Sequence, residues 1–211
     1  GLWEYDFSNC HFALLAQMAA RYGYQCEAIA HYLAHKKDTR QAIAAQAGIT
    51  EAQAKLCLLA VMYGARASEW HENAIPEAIG QEATARLLQV EQFKAISTDV
   101  AKARTTILKH WPRRTSNGRL TNDFGRAIDG KASPAERLAH LLQGVEALAL
   151  KAVIDLYPHH ICLVQHDGFA AAARLDCRAI EQAVFEATGY RLGLEEKQIQ
   201  PDPDAYFLSR F

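Results

Sequence analysis

The sequence has 211 residues, half of them hydrophobic, so it can build one large core or two packed lobes and is not a disordered chain. A net charge of −1 excludes an overall positive field, so any contact with nucleic acid must come from a local basic cluster. Five scattered cysteines without a Cys-x-x-Cys pair exclude a disulfide framework. We expect a cytoplasmic protein without a signal peptide or membrane span, because no apolar run reaches about 18 residues.

The first half of the sequence predicts one strand followed by helices. The apolar spacing indicates a strand at 2–7 and helices at 11–34, 38–47, 50–62, 76–89 and 91–110. Thr50 is the expected N-cap of the third helix, and Trp111-Pro112 ends the series. A junction between strand and helix therefore falls at residues 6–9.

The second half alternates between strands and helices. Two turn signals in 115–126 predict a hairpin, and a helix is expected from Ser133-Pro134 to about Leu156. Strands at 160–165 and 169–175 enclose a tight turn, and a helix at 176–188 and a strand at 191–197 follow. This order predicts an α+β fold, with an antiparallel sheet that has helices on one face and a separate, mostly helical lobe.

Two acids are expected to be exposed by the local structure. Asp6 ends an apolar strand, and Asp167 lies in the turn between two strands. If neighbouring strands bring them together, the two carboxylates would bind a hard cation such as Mg²⁺. Taken singly, each has a structural explanation, because Asp often caps helices and Asp-Gly is a common hairpin turn.

A third candidate lies on the helix that follows Thr50. One face of this helix carries Lys55, Leu59 and Tyr63, which are spaced at i, i+4 and i+8. Gly64 follows at the end of the helix. A lysine and an aromatic ring on one face could hold a triphosphate and stack on a base, although a solvated lysine and a core tyrosine would give the same pattern.

Considered together, these segments resemble the family A DNA polymerases, which are also related to the bacteriophage-type single-subunit RNA polymerases. The matching segments occur in the family's order: Asp6-Phe-Ser-Asn-Cys-His-Phe-Ala-Leu-Leu-Ala16, Lys55 to Tyr63-Gly64, Phe124-Gly-Arg126, Gln143-Gly-Val-Glu-Ala-Leu-Ala-Leu-Lys151 and Gln165-His-Asp-Gly-Phe169. The resemblance implies a first palm strand and helix at 1–35, helical fingers at 36–112 and the rest of the palm at 113–211. It also implies a thumb that is lacking or supplied by another chain.

The resemblance assigns roles to residues in three groups. Asp6, Asp167 and the backbone carbonyl of Phe7 would hold two Mg²⁺ ions, with Mn²⁺ as an alternative. The residues implied to bind the nucleoside triphosphate are Lys55, Leu59, Tyr63 and His11. The residues implied to contact the primer-template are Gly64, Arg126, Gln143 and His166.

Four positions depart from the family's pattern. His11 stands where DNA-making members have a glutamate that helps to exclude ribonucleotides, and Gly168 stands where an acid usually follows the second aspartate. Glu51 replaces an arginine that would attract phosphate, and Leu59 replaces an aromatic residue. An RNA polymerase or primase is therefore an alternative to a DNA polymerase, and a catalytically inactive scaffold subunit is another.

Two other interpretations involve different chemistry. Residues 42–55 fit a helix-turn-helix with Gly48 in the turn, which would bind duplex DNA without catalysis, although Lys55 is the only base on its second helix. His159, His160 and His166 surround one strand, but adjacent residues of a strand point to opposite faces and cannot share one metal ion.

Overall fold

The computed structural model describes residues 1–70 and 72–200. The fold is α+β, as predicted, and the chain forms two compact units. Unit 1 combines Gly1–Cys10 with the chain from Val145 onward, and unit 2 comprises His11–Gly144. In the described part of the chain, no helix is both long and apolar enough to cross a membrane.

The described helices and strands follow one another broadly in the predicted order. The strands are β1 (Trp3–Phe7), β2 (Ile161–Gln165), β3 (Gly168–Ala171) and β4 (Leu194–Gln198). The helices are α1 (Cys10–Arg21), α2 (Glu27–Ala34), α3 (Lys36–Ala47), α4 (Glu51–Met62), α5 (Ala74–Ile79), α6 (Gln81–Leu87), α7 (Glu91–His110), α8 (Pro134–Leu156) and α9 (Cys177–Thr188).

The four strands form one antiparallel sheet in unit 1, in the order β2-β3-β1-β4. Tyr5 and Phe7 point into the core and are almost fully buried, whereas Glu4 and Asp6 between them are exposed. The rings of Tyr5 and Phe169 stack with centroids 4.9 Å apart. Because side chains alternate along a strand, this sheet has one covered face and one open face that carries the acids.

In unit 2, local sequence signals account well for where the central helices begin and end. The Thr50 side chain accepts a hydrogen bond from the backbone N–H of Gln53, and the Gln53 side chain accepts one from the backbone N–H of Thr50, which makes the capping box that starts α4. Gly48 ends α3 with φ of 66°, a left-handed conformation that glycine adopts without strain.

Two helices predicted as continuous are each divided in two. The segment 11–34 forms α1 and α2, because the chain turns at Gly23 with φ of 84°. The segment 76–89 begins earlier, at Ala74, and forms α5 and α6, because Gly80 has φ of 79°. An α-helix requires negative φ, so each glycine ends the helix before it.

The hairpin predicted at 115–126 is also different in the structure. This segment makes two isolated bridges, Arg114 with Leu120 and Thr121 with Ala127, and not a pair of strands. Leu120 is its buried hydrophobic residue, and most of the neighbouring side chains are exposed. A segment with so little apolar surface cannot stabilise a two-stranded ladder.

A buried acid joins α7 to the start of α2. The carboxylate of Asp99 accepts hydrogen bonds from the backbone N–H of Ala28 at 2.8 Å and of Ile29 at 3.2 Å. It also accepts one from the Tyr24 hydroxyl at 2.6 Å. Burial and the neighbouring Asp99 raise the pKa of Tyr24, which therefore remains a donor. Asp99 thus caps a helix that follows the break at Gly23.

We expect Asp99→Ala to lower the free energy of unfolding by about 3 kcal/mol, because it leaves three donors without their acceptor. The measurement is urea denaturation followed by circular dichroism. Asp155→Ala is the control, because Asp155 is an exposed partner of Lys151 at i,i+4, and its loss should cost at most about 0.5 kcal/mol. Equal losses for the two variants would contradict the assigned role of Asp99.

Candidate functional site

Antiparallel pairing of β1 and β3 brings together the two acids that are distant in the sequence. Asp6 on β1 lies opposite Gly168 on β3, immediately after Asp167. The backbone N–H of Phe7 donates to the carbonyl oxygen of Asp167 at 3.0 Å. This backbone contact fixes the turn that carries Asp167 beside the end of β1, within unit 1.

Both carboxylates line one cleft of about 310 Å³ on the open face of the sheet. Glu4, Gln165 and His166 also contribute to its wall, which mixes polar side chains with Leu163 and Ile199. A concave surface with convergent acids is a suitable place for a cation and a polar ligand. The structure therefore places Asp6, Asp167 and His166 of the predicted site in one cavity.

The turn between β2 and β3 depends on unusual backbone geometry. His166 has φ of 49°, in the left-handed region that only a few per cent of non-glycine residues occupy. At Gly168, an added Cβ would overlap Oδ1 of Asp6 and lie 2.8 Å from the carbonyl oxygen of Tyr5. Glycine at this position thus lets the Asp6 carboxylate lie against β3, and any larger residue would collide with it.

A further acid beside Asp6 was not singled out from the sequence. Glu195 on β4 is the cross-strand partner of Asp6 and lies on the same face of the sheet. Its carboxylate accepts a hydrogen bond from the Ser8 hydroxyl at 2.6 Å. The predicted strand at 191–197 contained this residue, but its register against β1 could not be deduced from the sequence.

The surroundings of Cys10 reveal another negative charge in unit 1. The pKa of the Cys10 thiol is raised well above its usual value by burial, and also by the charges of Glu146 and Asp167. The Cys10 thiol therefore keeps its proton at neutral pH. Glu146, on α8, contributes negative potential at Cys10, as Asp167 does.

The donor set fits Mg²⁺ of the kind that is held by a few carboxylates and by substrate. Within residues 1–70 and 72–200, no three His, Cys, Asp or Glu side chains form a cluster that could enclose a metal ion. Mg²⁺ commonly keeps several waters and binds one or two carboxylates together with substrate phosphates. Two carboxylates that line one cleft, as Asp6 and Asp167 do, match this second kind of site.

In unit 2, the predicted nucleotide-binding face of α4 points away from the core. Lys55 is exposed and Tyr63 is 49% exposed, while Leu59 between them is half-buried. The Tyr63 hydroxyl lies 2.8 Å from Nδ1 of the buried His11, and their rings meet edge to face at 5.6 Å. Four predicted residues are thus arranged along one helix face and on α1.

Two neighbouring positions have clear local explanations. Gly64 follows α4 with φ of 101°, and an added Cβ would overlap Cβ of Ala135, so close packing requires glycine here. Glu51 occupies the first position of α4, where a negative charge favours the helix N-terminus, and it accepts a hydrogen bond from Gln41 at 3.3 Å.

Asn122 holds the loop of Arg126 against α8. Its buried side chain accepts from the backbone N–H of Arg126 at 2.9 Å and donates to the carbonyl oxygen of His140 at 3.1 Å. An added Cβ at Gly144 would overlap the Asn122 side chain, so this contact also needs glycine. Arg126 and Gln143, both exposed, therefore come from adjoining segments of unit 2, and sequence analysis did not identify Asn122 as their link.

Comparisons with known proteins show a similarity in structure and none in sequence. The sequence matches no protein-family model and no curated protein. Among solved structures, the chain is similar to the POL domain of Pol1 from M. smegmatis, solved in complex with DNA primer-template and dNTP. The similarity has a TM-score of 0.49 and a sequence identity of 16%, and it covers 92% of this chain. The chain spans 38% of that neighbour's length.

We expect Gly168→Ala to destabilise the protein by about 1–3 kcal/mol, because the new methyl group must displace the Asp6 carboxylate and strain the β1–β3 pair. The measurement is the midpoint of urea denaturation. Gly130→Ala is the matched control, because nothing lies within 4 Å of a Cβ at Gly130, and its effect should stay within about 1 kcal/mol. If the two variants unfold alike, Gly168 is not required by close packing.

Proposed function

We propose that the protein is a template-directed nucleotidyltransferase of the family A DNA polymerase type, which uses two Mg²⁺ ions. The observation that supports this most strongly is the meeting of Asp6 and Asp167 across β1 and β3, in one cleft. Two carboxylates that the pairing of β1 with β3 brings to one cleft are what the sequence resemblance requires of a metal site, and Mn²⁺ is an alternative ion.

In this proposal, Asp6 and Asp167 hold the metal ions and Phe7 contributes its carbonyl oxygen. Bound Mg²⁺ would lower the pKa of the primer 3′-hydroxyl and stabilise charge on the transferring phosphoryl group. Glu195 adds negative charge beside Asp6, and like charges placed opposite each other favour the binding of a cation.

The exposed face of α4 would receive the nucleoside triphosphate. Lys55 supplies a cation for the phosphates, and Tyr63 supplies an exposed ring that can stack at the nascent base pair. The contact between Tyr63 and His11 orients that ring, and Leu59 forms the apolar surface between the two ends of the face.

The primer-template is the proposed nucleic-acid partner. Arg126 and Gln143 would contact its backbone or minor groove, with their spacing set by Asn122, and His166 would contact the primer end from the metal-binding cleft. Gly64, without a side chain, would let the primer-template approach the backbone closely at the end of α4.

A ribonucleotide-using enzyme is the second candidate, and Gly168 favours it. The packing of Gly168 against Asp6 leaves no room for the acid that DNA-making members carry, and the bacteriophage-type RNA polymerases resemble this chain in lacking it. A helix-turn-helix remains compatible with the two helices α3 and α4 and the turn at Gly48, but Lys55 is the only base on α4.

We expect wild-type protein with Mg²⁺ to extend a primer on a template, and Asp6→Asn or Asp167→Asn to slow extension by at least about a hundredfold, because each removes a metal ligand. The measurement is gel analysis of extension with deoxy- and ribonucleotides in separate reactions. Asp176→Asn is the control, because Asp176 only caps α9 and asparagine caps equally well. Equal background from all proteins would instead favour a binding or scaffold role.

We expect Tyr63→Phe to raise the KM for the incoming nucleotide about fivefold with little change in kcat, because it removes the hydroxyl that contacts His11 and keeps the ring. Steady-state kinetics at saturating primer-template provides the test. Tyr157→Phe, which removes a hydroxyl near the end of α8, should leave KM unchanged. A loss of kcat alone would show that Tyr63 acts on chemistry and not on nucleotide binding.

A further inference from the structure

A second cleft, in unit 2, has a distinctly basic wall. It encloses about 400 Å³ between α7, the end of α4 and the loop that follows α4. Lys94, Lys102 and Arg104 all line it, and none of its described lining residues is an acid. For a chain with a net charge of −1, three cations on one concave surface are a marked local concentration of positive charge.

The amphipathic pattern of α7 places Lys94 and Lys102 together, and Arg104 lines the cleft from another side of the same helix. Lys94, Thr98 and Lys102 are spaced at i, i+4 and i+8 and share one face. The opposite side of the helix carries the core residues Phe93, Ile96, Val100, Ala103 and Ile107. The basic side chains are therefore presented to solvent along about two turns of a rigid helix.

Two of the three cations have no acidic partner among the described residues. Lys94 pairs with the exposed Glu91 at 2.8 Å, an ion pair that solvent screens strongly. In the chain from 1 to 70 and 72 to 200, Lys102 and Arg104 form no ion pair. Both charges are thus available to an anion that enters the cleft.

An exposed aromatic residue lies on the same loop. Ala65 and Ala67 form part of the cleft wall, and Trp70, three residues further along, is 61% exposed. A large exposed ring on a loop that lines a basic cleft suits single-stranded nucleic acid, because bases can stack on the ring while phosphates pair with the cations. A duplex offers no unstacked base to such a ring.

We propose that this cleft binds a single strand of nucleic acid, with its phosphates on Lys94, Lys102 and Arg104 and an unpaired base on Trp70. The assignment rests on the proposed function only in choosing a nucleic acid as the anion. Binding of the strand to this cleft does not require Asp6 or Asp167, so the affinity can be measured without metal and without catalysis.

The test is fluorescence anisotropy of a labelled oligothymidylate, titrated with the protein in EDTA at several salt concentrations. For single strands, each phosphate contact adds about 0.7 to the slope of log affinity against log salt concentration. At 0.1 M salt, one contact therefore contributes about fivefold to the affinity. Lys102→Gln should therefore weaken binding about fivefold, and Lys102→Gln with Arg104→Gln about 25-fold, with a slope reduced by about 1.4.

Lys37→Gln is the matched control, because Lys37 is an exposed lysine on α3 outside the cleft lining. It should leave the affinity within about twofold of wild type. Trp70→Ala should weaken binding of the single strand about tenfold and leave duplex binding unchanged. Equal losses of affinity in Lys37→Gln and Lys102→Gln would overturn the proposal. So would duplex that binds more tightly than the single strand with an affinity that Trp70→Ala does not change.

Lysine acetylation of the wild-type protein gives a second measurement that does not depend on folding of a variant. Bound oligothymidylate should protect Lys94 and Lys102 at least threefold more than Lys37, and equal protection would overturn the proposal.

Primer extension by the same proteins separates the two hypotheses. If the cleft variants lose binding and the wild-type protein extends no primer, only the proposed function is refuted. If the wild-type protein extends the primer and the cleft variants bind as tightly as it does, only this inference is refuted.

Discussion

The antiparallel register between β1 and β3 is the constraint on which the candidate site depends. It joins two segments more than 150 residues apart in the sequence and places Asp6 opposite Gly168. A slip of one residue would turn Asp6 into the core and bring Tyr5 or Phe7 to the open face. The stacked rings of Tyr5 and Phe169 oppose such a slip, because both would lose their buried positions. The same apolar packing that stabilises the sheet thus also fixes the position of the acids.

Much of the local structure could be predicted from the sequence because its signals are short-range. The capping box at Thr50, the N-cap at Asp176 and the left-handed glycine at Gly189 act within one or two turns of a helix. The breaks at Gly23 and Gly80 were missed because glycine is also tolerated inside helices, and only tertiary packing decides whether it takes positive φ.

The candidate site was predictable only in part, for a related reason. The resemblance predicted that Asp6 and Asp167 would form a pair, and the strand pairing does bring them together. Glu195 could not be identified from the sequence, because its role depends on which residue of β4 lies opposite Asp6. The hydrophobic pattern of a strand does not specify its register against a distant strand. Asn122 has the sequence pattern of an ordinary turn residue, since its contacts with His140 and Gly144 of α8 are made only in the folded chain.

The net charge of the chain conceals a separation of charge between the two units, each considered by itself. Unit 1 presents Glu4, Asp6 and Asp167 around one cleft, whereas the second cleft, in unit 2, is lined by lysine and arginine and by no acid among its described residues. Opposite charges mixed on one surface would weaken both fields, so their separation lets one cleft attract cations and the other attract anions. A balanced total of 23 basic and 24 acidic residues is therefore no argument against contact with nucleic acid, because binding depends on the local potential.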